Sequence, residues 1–91
     1  MTALSKTLTI TNRKGLHARA SARFVETVEA HDAKAEVHRD GQTVPGDSIM
    51  GLLMLAAANG CTIDVTCSGP DAAVLMDALE ALLANKFGEG A

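Results

Sequence analysis

Tryptophan and tyrosine are absent, and phenylalanine occurs only at positions 24 and 87. Modules that read single-stranded nucleic acid stack bases on exposed aromatic rings. No nucleic-acid partner is therefore expected. Long apolar runs are also missing. The longest near-continuous run, Ile49 to Ala58, is ten residues, about half of what a bilayer span requires. The opening segment MTALSKTLTITNRKG has no apolar h-region of the kind that marks a secretory signal. A soluble, cytoplasmic protein with no membrane insertion is expected. The two cysteines, Cys61 and Cys67, lie in CTIDVTC. On a strand they share a face but sit ~20 Å apart at ~3.3 Å per residue, whereas a disulfide needs Cα atoms within ~7 Å. Their spacing fits no common zinc pattern either. Both are expected to be buried core thiols. No Ser/His/Asp grouping, paired carboxylates or glycine-rich nucleotide loop occurs in the chain.

What remains is a chain of 91 residues that is 47% hydrophobic. Surface scaling at this size buries about 63% of the open chain's surface, enough for one core without metal or disulfide staples. Residues 1–91 are expected to form one domain. A deep two-domain cleft is beyond its reach, which argues against elaborate catalysis. Charge is uneven. Residues 1–23 carry Lys6, Arg13, Lys14, Arg19 and Arg23 and no acid, while the remainder carries three bases and eleven acids, for a net −3. A basic N-terminal patch on an acidic protein points to an anionic ligand or partner near residues 13–23.

The hydrophobic pattern predicts the order β-α-β-β-α-β-α. Leu4, Leu8 and Ile10 alternate with serine and threonine, which marks a strand with one wet face. A loop from Asn12 to Leu16 follows, with Gly15 as its flexible point. Residues 17–30 then read as a helix with Ala18, Ala22, Val25 and Val28 as its apolar stripe. A strand over Ala35 to Arg39 meets Asp40-Gly41, a two-residue hairpin signal. Pro45-Gly46 cuts the returning strand short. Asp47 and Ser48 open a second helix, which Asn59-Gly60 is expected to close. Cys61 to Cys67 forms the fourth strand, with Ile63 and Val65 facing inward. Ser68 to Asp71 opens a last helix with the stripe Leu75, Leu79, Leu82 and Leu83, ended by Gly88, and the final GEGA is expected to fray. Strands with one polar face suit an antiparallel sheet. The fold class is α+β, an open-faced sandwich in which three helices cover one side of a four-stranded antiparallel sheet.

His17 stands at the junction of loop and helix, in Gly15-Leu16-His17-Ala18-Arg19. The first amides of a helix lack internal partners and carry partial positive charge, so they bind phosphate readily. Arg19 adds a planar donor fork that matches phosphate oxygens. The imidazole supplies a nucleophilic ring nitrogen. A nucleophile, a helix end and a guanidinium within three residues suit a phosphoryl acceptor, although a lone histidine at a helix start is more often a cap or a surface residue.

The segment Asn12–Val25, NRKGLHARASARFV, closely resembles the active-site motif of HPr, the histidine-containing phosphocarrier family of the bacterial phosphotransferase system. Asp47–Leu55, DSIMGLLML, resembles that family's second motif, around a regulatory serine. Length, element order and motif separation agree, so the resemblance covers essentially the whole chain. It implies that His17 takes a phosphoryl group on Nδ1 from phosphorylated enzyme I and passes it to an EIIA-type acceptor. Arg19 would steady the phosphate, and the amides of Ala18 and Arg19 would hold its oxygens. The carrier itself would need no metal, nucleotide or other cofactor, and would be a substrate of kinases and transferases rather than an enzyme. One position departs from the family pattern: Ala20 stands where proline usually follows the arginine. Proline presets the backbone there, an effect of about 0.4–1 kcal/mol at compatible sites. Its loss is compatible with the nitrogen-regulatory branch rather than fast sugar transport.

Ser48 reads as a helix N-cap, and the resemblance adds a role as substrate of the HPr kinase/phosphorylase, where phosphorylation would place nearly two negative charges. The helix after it is unusually apolar and cannot bury every face. Ile49, Met50 and Leu53 are the expected surface contacts, rimmed by Arg19 and Arg23, an arrangement suited to transient docking of acidic partners. His31 and His38 are expected to be solvated. A monomer suits a shuttle that shows one face to successive partners. The rival reading is a ligand-sensing regulatory domain of β-α-β-β-α-β type, which would bind a small effector between two copies and need no histidine.

Overall fold

Alternation of small polar and aliphatic residues builds four strands: β1 (Ala3–Thr9), β2 (Lys34–Arg39), β3 (Gln42–Pro45) and β4 (Thr62–Ser68). The computed structural model describes residues 3–88. The expected fraying of the tail beyond Gly88 lies outside those residues. Every pairing is antiparallel and the order across the sheet is β1-β4-β2-β3. The Asp40-Gly41 hairpin forms as its dipeptide predicts, with both residues at positive φ (49° and 79°), the requirement of the tight turn that matches strand twist.

One face of the sheet is wet. Ser5 bonds Thr66 across β1 and β4, and Thr7 donates to Asp64. The other face carries Leu8, Val37, Ile63, Val65 and Cys67, all buried. Helices α1 (Ala18–Glu29), α2 (Ile49–Met54) and α3 (Ala72–Ala84) cover it. The open-faced sandwich is thus as the pattern predicts. Both phenylalanines are wholly buried; truncating such a ring to alanine typically costs 3–5 kcal/mol. Lys6 occupies an inward position on the edge strand β1 and pairs with Glu80 of α3. A charge there discourages pairing of the edge with another chain.

Three expectations need correction. The stripe of α1 runs through Ala20, Phe24, Val25 and Val28, with Ser21 beside it, whereas Ala18 is exposed and Ala22 only half-buried. The large Phe24 ring, rather than the small alanines, sets which side turns inward. Cys61 is not a core thiol: it lies just outside β4 and is half-buried, while Cys67 is buried as expected. Both are free, with no bridge between them. The third correction is larger. Helix α2 does not reach Asn59-Gly60 but ends at Met54, with Leu55 as its cap and Ala56 at a φ of 51°. Arg39 donates to the Leu55 carbonyl at 2.9 Å, satisfying a helix end from outside. Residues 56–59 run on without helical form, and Asn59-Gly60 instead makes the turn into β4, closed by the Cys61 amide on the Ala58 carbonyl.

Candidate functional site

The site grows out of the loop between β1 and α1. Its entry is tied to β4's lead-in by a reciprocal pair: Ile10 donates to the Cys61 carbonyl and Gly60 donates to the Ile10 carbonyl, both at 2.8 Å. Asn12 is wholly buried, and its side-chain amide donates to the Gly15 carbonyl at 2.8 Å. Asn59 reaches across from the other loop and donates to the carbonyls of Thr11 and Asn12. Leu16 donates to the Ala57 carbonyl at 2.9 Å. Gly15 passes so near that segment that a Cβ would meet the Ala57 oxygen at 2.4 Å. Its φ of 68° also belongs to the left-handed region, which glycine enters at no steric cost.

That scaffold delivers His17 to the N-cap of α1. Its backbone is extended and the first helical bond runs from Ser21 to the His17 carbonyl at 2.9 Å. The ring is half-exposed. Nδ1 accepts from the Arg19 amide at 3.2 Å. A backbone N–H only donates, so Nδ1 carries its lone pair toward the helix mouth. An imidazole thus replaces the serine or aspartate that more often takes this place.

Around the ring is an open hollow of about 570 Å³ lined by Arg13, Lys14, Ala18, Arg19, Arg23 and Gly88 together with His17. Sequence reasoning had His17, Ala18, Arg19 and Arg23, and the structure brings all four to one place. It missed Arg13 and Lys14 as lining residues, although the density of basic residues over 13–23 was their signal. It also missed Gly88. That residue arrives from the far end of the chain in a 3-10 turn, Lys86–Gly88, anchored by the buried Phe87. Nothing local announces it.

Ser48 is the N-cap of α2, its Oγ accepting from the Gly51 amide at 3.0 Å. Of the three apolar residues expected at the surface, Ile49 and Met50 are 40% and 69% exposed, but Leu53 is half-buried. Met54, at 66%, takes the outer position instead. The two other histidines stand apart from the hollow. His38 is exposed and meets Thr43 Oγ1; His31 is half-buried rather than solvated, with Nδ1 on the Thr27 carbonyl at 2.8 Å.

Two thiols differ in acidity for physical reasons. Cys61 is pushed below the ordinary thiol range by a hydrogen bond with the backbone of Ala58 and by the Arg39 guanidinium on its sulfur. Burial pushes Cys67 up. No helix of the described residues is long and apolar enough to cross a membrane.

Comparison with known proteins agrees with this geometry. The sequence profile of the family described as PTS HPr component phosphorylation site matches residues 4–85. The phosphocarrier protein HPr of Cupriavidus necator is 46% identical over 96% of this chain and 98% of its own. The phosphocarrier protein NPr of Shewanella violacea is 37% identical over 98% of each. The crystal structure of HPr from Thermoanaerobacter tengcongensis superposes with a TM-score of 0.90 at 35% identity, covering 94% of this chain and 97% of the other. With matches of that extent, a helix mouth that presents an imidazole among cations has a family to go with it: the chain belongs to HPr, the phosphocarrier family of the phosphotransferase system.

Proposed function

We propose that His17 is the phosphoryl acceptor, charged by phosphorylated enzyme I at the expense of phosphoenolpyruvate and discharged to an EIIA-type protein. One observation carries the reading: Nδ1, with its lone pair, stands at the first turn of α1 inside a hollow walled by four cations. In the transfer, that lone pair attacks phosphorus. The bond from phosphorus to the donor breaks, and its electron pair stays with the donor. The Arg19 amide, released from Nδ1, then faces the phosphoryl oxygens together with the Ala18 amide. The Arg19 guanidinium balances their charge. The return step is the same displacement, with the EIIA nucleophile attacking.

On this reading the chain, residues 1–91, is one cytoplasmic carrier unit and a substrate of larger transferases, with no turnover of its own and no metal or nucleotide. Arg19 and Arg23 meet acidic groups of the partner, while Ile49, Met50 and the edge of Leu53, joined by Met54, meet apolar ones. Ser48 is a second acceptor, for HPr kinase/phosphorylase. A phosphate on its Oγ would place charge beside the exposed Asp47 and the docking residues, opposing enzyme I. Which branch the carrier serves, sugar transport or nitrogen regulation, follows from which EIIA-type acceptor docks. A monomer presents this face to each partner in turn.

The test is labelling with radioactive phosphoenolpyruvate and enzyme I. Wild type, His31→Ala and His38→Ala take up acid-labile, base-stable label, and His17→Ala takes up none. Label that survives His17→Ala removes the assignment.

A further inference from the structure

The basic surface around His17 is wider than one phosphoryl group needs. We infer that its outer lobe, Arg13 with Lys86, is a docking site for a carboxylate-rich surface of the partner proteins. This rests on the phosphocarrier reading above.

The chain has eight lysines and arginines. Lys6 and Arg39 are paired with Glu80 and Asp40. The other six pair with no carboxylate of the described residues: Lys34 stands apart on β2, while Arg13, Lys14, Arg19, Arg23 and Lys86 gather about the first helix mouth. Arg13, Lys14, Arg19 and Arg23 line the His17 hollow. Arg13 also lines a second hollow, of about 540 Å³, with Thr11, Asn59 and Lys86. The two hollows therefore share a guanidinium and make one basic strip, which runs on past the imidazole toward the Lys86 corner.

A bound phosphoryl group brings about two negative charges, which Arg19 and the helix mouth already answer. The remaining cations repel one another unless an anion sits among them, and no carboxylate of the described residues does so. In the second hollow the neutral side-chain donors are committed. Asn59 donates to the carbonyls of Thr11 and Asn12, and the Thr11 hydroxyl donates to the Leu83 carbonyl. The side-chain donors left for a ligand are Arg13 and Lys86, and both carry full positive charge, which favours an anion. The backbone of Lys86 is held in place, since it follows the Asn85 cap of α3 and precedes the buried Phe87. The hollow is open and exposed at both cations, which suits carboxylates offered by a protein surface rather than an enclosed small molecule.

Initial rates of label transfer from enzyme I and phosphoenolpyruvate, measured against carrier concentration, test this. Arg13→Glu with Lys86→Glu raises KM at least tenfold at low ionic strength, with a much smaller change in kcat. Arg13→Gln with Lys86→Gln falls between the reversal and wild type, and guards against a folding artefact. The reversal effect shrinks as salt shortens the screening length from about 10 Å at 0.1 M toward 3 Å at 1 M. Lys34→Glu, on β2 outside both hollows, leaves the kinetics unchanged. A reversal KM within twofold of wild type, with His17 still labelled, overturns the docking lobe and leaves the carrier reading intact. A fall in kcat alone would place these cations on the phosphoryl group and also overturn it. No label on the wild-type chain overturns the carrier reading and this inference with it.

Discussion

Gly15 and Ala57 touch backbone to backbone, with room for no side chain between them: a Cβ on Gly15 would lie 2.4 Å from the Ala57 oxygen and 2.8 Å from the Ala58 Cα. The same oxygen accepts from the Leu16 amide. This contact holds the loop that aims His17. Helix α2 has already ended before this contact: Ala56, at a φ of 51°, lies outside the right-handed helical region. The segment after Leu55 serves the site rather than the helix.

Gly15→Ala is therefore expected to damage both stability and transfer. The left-handed conformation costs an alanine roughly 1–2 kcal/mol, and the backbone clash adds to it. A total loss above about 2 kcal/mol lowers the melting temperature by roughly 8 °C or more in a domain of this size. Thermal unfolding by circular dichroism measures it. An unchanged melting temperature would show that the loop does not rest on residues 57–58.

Arg19→Ala keeps the fold, since Arg19 is exposed and alanine favours helix. Losing charge-assisted bonds worth about 1.5–3 kcal/mol slows transfer from enzyme I roughly ten- to hundredfold. Rapid-quench transfer rates decide it. A wild-type rate would mean that the helix amides hold the phosphate alone.

Ser48 separates structure from regulation through two substitutions. Ser48→Ala removes the bond to the Gly51 amide and costs about 1 kcal/mol, a drop of roughly 4–8 °C. Ser48→Asp retains a good cap and so melts close to wild type, yet it weakens binding to enzyme I by adding negative charge at the docking face. Calorimetric titration of both variants reads this out. Equal affinity for wild type and Ser48→Asp would count against a phosphoserine switch.

The thiols supply a pH-dependent prediction. The Ala58 backbone and, after it, Arg39 favour the Cys61 thiolate, so its folded pKa lies below the unfolded one. The stability this contributes is fully present above the unfolded value and is lost as pH falls through the lowered native value. At neutral pH one thiol per chain, Cys61, reacts quickly with an alkylating reagent, while Cys67 waits for unfolding. Arg39→Gln slows Cys61 and moves its rate profile to higher pH. Two equally fast thiols in the folded chain would refute the assignment.

The alternation of Leu4, Leu8 and Ile10 and the inward set Ile63, Val65 and Cys67 carried the sheet, because period two leaves one face apolar whatever lies above it. The Asp40-Gly41 turn and the Ser48 cap were equally legible, since each depends on the local chemistry of one or two residues. His17 and Arg19 could be picked out for the same reason: a helix mouth, a ring nitrogen and a guanidinium are neighbours along the chain. Two errors share the opposite cause. Ala56 to Ala58 are good helix formers and read as a continuation of α2, yet Ala56 turns to a φ of 51° and the Leu55 and Ala57 carbonyls accept from Arg39 and Leu16, groups distant along the chain. Gly88 and Lys86 join the basic strip because Phe87 is buried, a contact made seventy residues from His17 along the chain. Sequence alone thus determined the sheet, the imidazole at the helix mouth and the charge beside it, all set by periodicity and short-range geometry. Tertiary structure decided where α2 stops and how far the cationic surface extends, because both depend on backbone groups and side chains that meet only after the chain has closed on itself.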